Sequence, residues 1–412
     1  MGTTSGPAAD SPTRARIAVV GPTYPFRGGI AHYTTLLARH LRLSSEVLLL
    51  TFTSQYPPRL FPGRTDRDPS TSVVSDDAIQ VLAPLRPDTW RRAARVISEF
   101  QPDLVVIQWW VPFWAPSLAT VAALTRRETG ATIAFVCHNV LPHEGRGALQ
   151  RLLTRLALGR GQRFVVHSQS DEDDLRRLLP RQTAPEGAVV RGCLPEHTIA
   201  TAVGRSDARR ALGLAEDEEV ILFFGFVRPY KGLDGLIEAL PRIAARVPRA
   251  RLVVAGEFWI PADDFVKRAS ELGVAGMLTI DDRYVPNEDV GTYFAAADVV
   301  AMPYVSATQS GVVTLAAQFG LPVVATDVGG LPEAVVDGET GLVVPPGEPG
   351  ALADALVRCL SEDQLASELG AGLAAARGRF DWAPTVAAIE SMAGTPLRND
   401  VDQGGMVAGS GL

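Results

Sequence analysis

The sequence predicts an α/β fold made of two doubly wound halves of similar size that face each other across a cleft. Three observations carry this reading. Short, continuously apolar, β-branched runs alternate with helical stretches from residue 16 onward; the alternation pauses at 191–206, where Gly, Pro and Thr gather; and it then begins again. A strand that is apolar on both sides needs cover on both sides, which a parallel sheet flanked by helices supplies.

In the first half, the β-branched runs at 16–20, 47–52, 104–108, 132–137, 163–166 and 189–191 read as strands. The stretches at 30–41, 88–100, 115–129, 148–158 and 170–179 read as helices between them. The second half repeats the pattern, with strands at 220–224, 251–255, 278–280, 299–302, 323–325 and 342–344, and helices at 233–245, 263–272, 289–297, 310–319 and 350–360. Residues 14–200 and 201–378 are thus expected to form two Rossmann-like domains. A late helix at 379–393 follows, and the ends, 1–13 and 394–412, are small, polar and Gly-rich, and are expected to be disordered. Ligands of such sheets bind beyond the carboxyl ends of the strands, so the site is expected in the cleft.

Composition narrows the function. The 412 residues are 46% hydrophobic and 21% charged, with a net charge of −7, which does not suit a protein that grips nucleic acid over its whole surface. The longest strongly apolar stretch, 104–116, is too short to cross a bilayer and is broken by Gln108. Three scattered cysteines encode neither a disulfide framework nor a zinc ribbon, and a cytoplasmic location fits best. Arg91, Arg92 and Arg95 leave open a peripheral contact with the inner face of a membrane, against the plainer reading of a solvated helix face. Of 39 basic residues only Lys231 and Lys267 are lysine, so the place of each is informative.

Four loops carry candidate chemistry. Gly28 and Gly29 directly precede a helix, where bare amides and the positive helix end can approach a phosphate. The loop matches neither the dinucleotide G-x-G-x-x-G nor the Walker pattern, which removes the main sequence support for a dehydrogenase or a P-loop ATPase. Arg228 and Lys231, three apart at a strand-to-helix corner, could converge on one diphosphate, the first as a fork and the second as a point charge. Ser310 is a candidate N-cap, with the amides of Gly311 and Val312 forming an anion hole. His138 stands where an apolar strand ends, with His143 and Glu144 further along its loop. Trp109, first of an aromatic run ending at Trp114, is either a platform for a sugar acceptor or core packing. The triplets Asp66-Arg67-Asp68 and Asp171-Glu172-Asp173 match a metal-holding D-x-D pattern, but the second opens a helix behind Ser170 with charges that complement its dipole. Neither is assigned a metal.

These residues, in this order, resemble glycosyltransferase family 4, retaining sugar transferases of two-Rossmann, GT-B architecture. The supporting segments are the Gly28-Gly29 loop, Cys137 to Glu144, Gly225-x-x-Arg228-x-x-Lys231-Gly232, Gly320 to Glu333 and Asp337 to Pro345. The resemblance implies a nucleotide-diphosphate sugar on the C-terminal half, with UDP favoured over GDP by family frequency, and a hydroxyl acceptor on the N-terminal half. That acceptor could be a glycan, a lipid-linked sugar or a small molecule. It implies a diphosphate held by Gly28, Gly29, Arg228, Lys231, Ser310, Gly311 and Val312, with Tyr284 and Val285 on the nucleotide side. His138, Arg228 and Lys231 are the catalytic candidates, and Trp109, His143, Glu144 and Gln309 lie toward acceptor or sugar. No cofactor and no metal are called for. One departure stands out. The family's Glu-x7-Glu carboxylates would fall at Ala307 and Leu315, or at Thr308 and Ala316, and no carboxylate exists from Val305 to Gln318. A non-catalytic nucleotide-sugar-binding subunit, or a GT-B epimerase or phosphorylase, are the alternative readings.

Overall fold

A computed structural model describes residues 14–56, 63–71, 77–142, 147–185, 187–196 and 201–394. The termini expected to be disordered, 1–13 and all but the first residue of 394–412, lie outside the described residues. The first half runs β1 (Arg16–Val20), α1 (Gly29–Leu41), β2 (Glu46–Phe52), β3 (Ile79–Leu82), α2 (Pro87–Phe100), β4 (Leu104–Trp109), α3 (Ala115–Thr129), β5 (Thr132–Cys137), α4 (Ala148–Leu158), β6 (Arg163–Val166), α5 (Gln169–Leu178) and β7 (Val189–Arg191). Its strands form a parallel sheet ordered β3-β2-β1-β4-β5-β6-β7. The second half runs α6 (Arg205–Ala211), β8 (Glu219–Phe224), α7 (Leu233–Arg246), β9 (Ala250–Ala255), α8 (Ala262–Glu271), β10 (Leu278–Asp281), α9 (Asn287–Ala296), β11 (Val299–Met302), α10 (Gly311–Phe319), β12 (Val323–Thr326), α11 (Leu331–Ala334), β13 (Gly341–Val344), α12 (Pro349–Ser361), α13 (Asp363–Ala375) and α14 (Trp382–Ala393). The order of its sheet is β10-β9-β8-β11-β12-β13. Two doubly wound Rossmann-like domains are the result.

The apolar runs are continuous because period two sends successive residues to opposite, equally buried faces. In β4, Val105, Ile107 and Trp109 join one core, while Leu104 and Val106 join another. α14 contributes Trp382, Ile389 and Met392 to the second of these, closing the first domain with a helix from the far end of the chain. The Trp382 ring stacks on His40 with centroids 5.2 Å apart, and its Nε1 donates to the Glu196 carbonyl at 2.7 Å.

Four elements differ from the sequence reading for physical reasons; one of them, α11, is a single four-residue turn, too short to show a helical period. β3 is a four-residue edge strand, too short to show a period. α6 is almost wholly polar. In α13, Gly370 and Gly372 interrupt the helical pattern, and both sit against backbone: a Cβ on Gly370 would lie 2.1 Å from the Gly320 carbonyl oxygen. The glycines there serve close packing. No helix among the described residues is long and apolar enough to cross a membrane.

Candidate functional site

Strand order reverses at β1/β4 in the first sheet and at β8/β11 in the second, and the loops leaving these strands meet in the cleft. From the first half comes the start of α1. Gly28, at φ 103, caps it in a conformation that favours glycine, and the helical bonds begin with Ala31 and His32 donating to the Gly28 carbonyl. The Gly29 and Ile30 amides precede that turn and have no carbonyl behind them. From the second half comes α10, capped by Ser310, whose Oγ accepts from the Val312 amide at 3.4 Å. The Val312 amide is therefore engaged by the cap, and Gly311 is the foremost amide of that helix end.

Lys231 lies in the turn between β8 and α7 and is 9% exposed. Its Nζ stands 5.0 Å from the centre of the Tyr304 ring. Gly225, at φ 100, leaves it room, since a Cβ there would come within 3.1 Å of Nζ. Burial opposes the ammonium, but Tyr304 and Tyr230 outweigh it and hold its titration above the ordinary lysine range.

The cleft divides into three compartments. The first, about 190 Å³, reaches into the second half and is lined by Phe224, Tyr284, Val285, Val290 and Leu315, with Glu257 and His32. The second, about 240 Å³, is lined by Tyr33, His138, Asn139, His167, Thr308 and Gln309. Gly29, Lys231, Ser310 and Gly311 line both. The third, about 470 Å³, opens toward the first half beside Tyr56, Trp110, Arg228, Tyr230 and Trp259, and shares Gly29 and Asn139 with the second. Two helix ends and a buried ammonium thus stand where the first two compartments meet.

His138 is positioned by groups around it. Its Nε2–H donates to Gln108 Oε1 at 2.8 Å, its backbone amide to the Trp109 carbonyl at 2.9 Å, and Tyr33 meets its ring edge-on at 4.7 Å. Gln108 is the lone polar side chain of β4 and is fully buried, so the break in the apolar strand was its signal. The His138 loop is held from below by Asp171, which accepts from the Val140 amide at 3.0 Å and the Ser168 hydroxyl at 2.8 Å. Asp171 therefore belongs to packing and loop support, and the N-cap of its helix is Ser168, not Ser170. Burial pushes the Asp171 carboxyl up to about 6, above the ordinary aspartate value of 3.8. A carboxyl raised on folding binds more protons folded than unfolded between those two values, so its contribution to stability falls as pH rises from about 4 to about 6 and is level above that. Asp171→Asn keeps an acceptor oxygen and is expected to remove the decline. Urea denaturation should then show the variant gaining on the parent between pH 4.5 and pH 7, by about 2 kcal/mol; an unchanged difference would contradict the assignment.

A clamp of long-range pairs closes the first compartment. Arg27 and Glu257 form a doubly hydrogen-bonded pair with side chains 3% and 2% exposed, one bond being 2.9 Å. The Arg64 amide also donates to Glu257, at 3.0 Å. Asp68 accepts from His32 at 2.8 Å, from Ser70, and across the cleft from the Tyr284 hydroxyl at 2.7 Å. Burial works against the Asp68 carboxylate, and the bonds from His32, Ser70 and Tyr284 outweigh it and hold it below the usual range. Tyr284 in turn is buried beside Asp68, which pushes its hydroxyl well up, and it accepts from the Gly28 amide at 3.4 Å. Sequence reasoning did not single out His32, Asp68, Glu257 or Gln108 as site residues.

The remaining candidates fall as follows. Tyr284 and Val285 line the first compartment, and Gln309 the second, though its Nε2 already donates to the His167 and Gly330 carbonyls at 2.9 Å. Trp109 needs correcting: it is completely buried, because β4 runs one residue further than expected and turns it into the core. Trp110, the next residue, is the one that reaches the cleft, lining the third compartment. Arg228 lines the third compartment, its guanidinium 4.8 Å from the Trp259 ring centre and 5.3 Å from that of Tyr230, while Lys231 lines the first two. His143 and Glu144 lie outside the described residues. Of the two registers for the missing carboxylates, Ala307 and Leu315 line the second and first compartments, while Ala316 is fully buried in the core.

Residues 27–185 match the family model described as Glycosyltransferase Family 4, and residues 218–362 match that of Glycosyl transferases group 1. A D-inositol 3-phosphate glycosyltransferase of Corynebacterium glutamicum is 35% identical over 246 residues, 58% of this chain and 56% of the relative. Its counterpart in Mycobacterium tuberculosis (strain H37Ra) is 41% identical over 159 residues, 37% of this chain and 32% of the relative. The chain thus spans about half, or less, of the length of these curated relatives. Sucrose-phosphate synthase of Thermosynechococcus elongatus shares the fold with a TM-score of 0.67 at 20% identity, over 92% of this chain and 98% of that one. HepE of Anabaena, in complex with UDP-glucose, gives the same values.

Proposed function

The chain belongs to glycosyltransferase family 4, and from that premise we propose that it moves a sugar, with retention, from a nucleotide-diphosphate sugar to a hydroxyl acceptor. The observation that carries this is the set of residues common to the first two compartments, Gly29, Lys231, Ser310 and Gly311. A diphosphate seated there places its nucleoside in the first compartment and its sugar in the second, beneath His138. UDP is the favoured nucleotide; HepE, of the same fold, is named as a UDP-glucose complex. The third compartment, which opens from the second, receives the acceptor. The curated relatives act, by name, on D-inositol 3-phosphate, and we carry over only the coarser class of a hydroxyl acceptor.

The bond from the anomeric carbon to the leaving phosphate oxygen breaks as a bond to the acceptor oxygen forms on the same face, and the acceptor proton passes to the departing phosphate. Lys231 and the helix-end amides stabilise the charge that grows on that phosphate, and they are fixed before the reaction begins. No carboxylate pair at glycosidase spacing is needed for such a route. His138 acts by orienting the donor sugar, since Gln108 fixes its ring.

An assay of nucleotide release from a panel of nucleotide sugars, with and without acceptors, tests the reading. His138→Ala is expected to lower donor-dependent release about 10²-fold. Binding with no release in the parent would favour the inert subunit, and product formed without an added acceptor the epimerase.

A further inference from the structure

Helix α4 carries leucine on its outer face as well as its inner one. It packs inward through Thr154, Ala157 and Leu158, which are buried. Outward it presents Leu149, Leu152 and Leu156, which are 64%, 63% and 41% exposed. Spacings of three and four residues put these leucines in one stripe along the helix. The other large apolar side chains exposed among the described residues, Leu43, Ile79, Leu85, Val266 and Val305, are spread over separate elements and need no explanation. The edge of the stripe is basic. Arg151 and Arg155 each directly precede a stripe leucine and are exposed, Arg160 follows the helix end, and α4 itself contains no carboxylate. Arg155 also donates to the Leu178 carbonyl at 3.0 Å, which sets α4 beside a hollow of about 590 Å³ lined by Arg176, Arg177 and Arg181 with Asp173. On α5, Glu172 and Asp174 are already paired with Arg176 and Arg177, each at 2.7 Å.

Apolar side chains that enter the acyl boundary and arginines that meet anionic headgroups are the two contacts of an amphipathic helix lying in the plane of a membrane surface. A second copy of the chain fits this face poorly, because a two-fold contact through α4 sets Arg151 and Arg155 against the same residues of the other copy. We propose that α4 docks the first half on an anionic lipid surface, with Leu149, Leu152 and Leu156 inserted and Arg151, Arg155 and Arg160 on the headgroups. The helix follows closely on the cleft: Pro142 lines the third compartment, and five residues separate it from Ala148, the start of α4. A chain of that length spans at most about 20 Å, so docking holds the compartment proposed for the acceptor near the lipid surface. The docking itself does not depend on which donor the cleft takes.

Flotation of the full chain with vesicles is the test. Vesicles of phosphatidylcholine with about one-third phosphatidylglycerol are expected to bind the chain at least about tenfold more tightly than vesicles of phosphatidylcholine alone. Leu149→Gln, Leu152→Gln and Leu156→Gln combined are expected to weaken that binding about tenfold or more at a little-changed thermal midpoint, since all three side chains are exposed in the parent. Arg151→Gln with Arg160→Gln is expected to weaken it several-fold and to make what remains less sensitive to salt, and this pair decides the matter should the leucine variant fail to fold. Arg91→Gln, Arg92→Gln and Arg95→Gln, on α2, are expected to leave binding near that of the parent. Equal binding to both kinds of vesicle, or binding to neither, would overturn the proposal. So would parental binding by a folded leucine variant, or a loss confined to the α2 variant. A parent dimer that the leucine variant dissolves, without binding to vesicles, would give the face to a second copy instead.

Discussion

Lys231→Met is expected to lower turnover of a nucleotide-sugar donor about 10³-fold or more while leaving the stability of the fold little changed. The asymmetry follows from where the ammonium sits. It is 9% exposed, and no carboxylate among the described residues pairs with it. Burial costs the charge desolvation energy, which the neighbouring Tyr304 and Tyr230 outweigh without an ion pair. Methionine fills a similar volume and needs no such compensation, so the fold is expected to lose little. A diphosphate loses the cation that neutralises it in the ground state and, more strongly, as the leaving group departs. Lys231→Arg is not expected to rescue: the slot closes on Nζ, with Gly225 at the distance of a bare backbone, and a planar guanidinium does not fit where a compact ammonium does. Steady-state kinetics paired with thermal denaturation separates the cases. Turnover near that of the parent would remove Lys231 from the site, and a parallel loss of turnover and stability would assign it to the fold.

How much of this was legible in the sequence depends on the range of the interactions involved. The proposed diphosphate corner is local: Gly28-Gly29, Ser310-Gly311 and Lys231 each follow a strand and open a helix or turn, and a strand-to-helix corner is written in consecutive residues. Lysine scarcity marked Lys231 further. The clamp is not local. Arg27 and Glu257 are 230 residues apart, and Tyr284 and Asp68 are 216 apart, so neither partner carries a sign of the other. Asp68 was noticed only within a D-x-D pattern, whose metal reading its hydrogen bonds to His32, Ser70 and Tyr284 displace. Trp109 was misplaced for a simpler reason: one extra residue in β4 is enough to turn a side chain from loop to core, because side chains in a strand alternate. The contact of Arg228 with the Trp259 ring is equally unmarked, since Trp259 lies on a different loop and has no sequence relation to the corner.

Glu257→Ala is expected to be the most disruptive single change to the relation between the two halves. Removing one partner of a buried pair leaves the other charged and unsolvated, at a cost of about 3–5 kcal/mol where the site cannot relax. Here it can relax, because Arg27 belongs to one half and Glu257 to the other. Opening the cleft returns Arg27 to water, and the cost is capped at whatever opening requires: the loss of the Tyr284–Asp68 bond, the Arg64 contacts with Asp282, and the contacts of Asn287 and Glu288 with Ser70 and Thr71. The expected result is therefore a chain that keeps both domains folded, shows a larger radius in small-angle scattering, and binds the donor more weakly, because α1 no longer stands opposite α10. Arg27→Met combined with Glu257→Met removes both charges and is expected to restore most of the closed population, since apolar replacement of a whole buried pair is often neutral. The two single variants and the double variant form a cycle whose coupling should be far from zero. Additive effects on radius and donor affinity would mean that the pair does not hold the halves together, and that the hydrogen bonds of Tyr284 to Asp68, Thr308 to the His138 carbonyl and Gln309 to the His167 carbonyl do so instead.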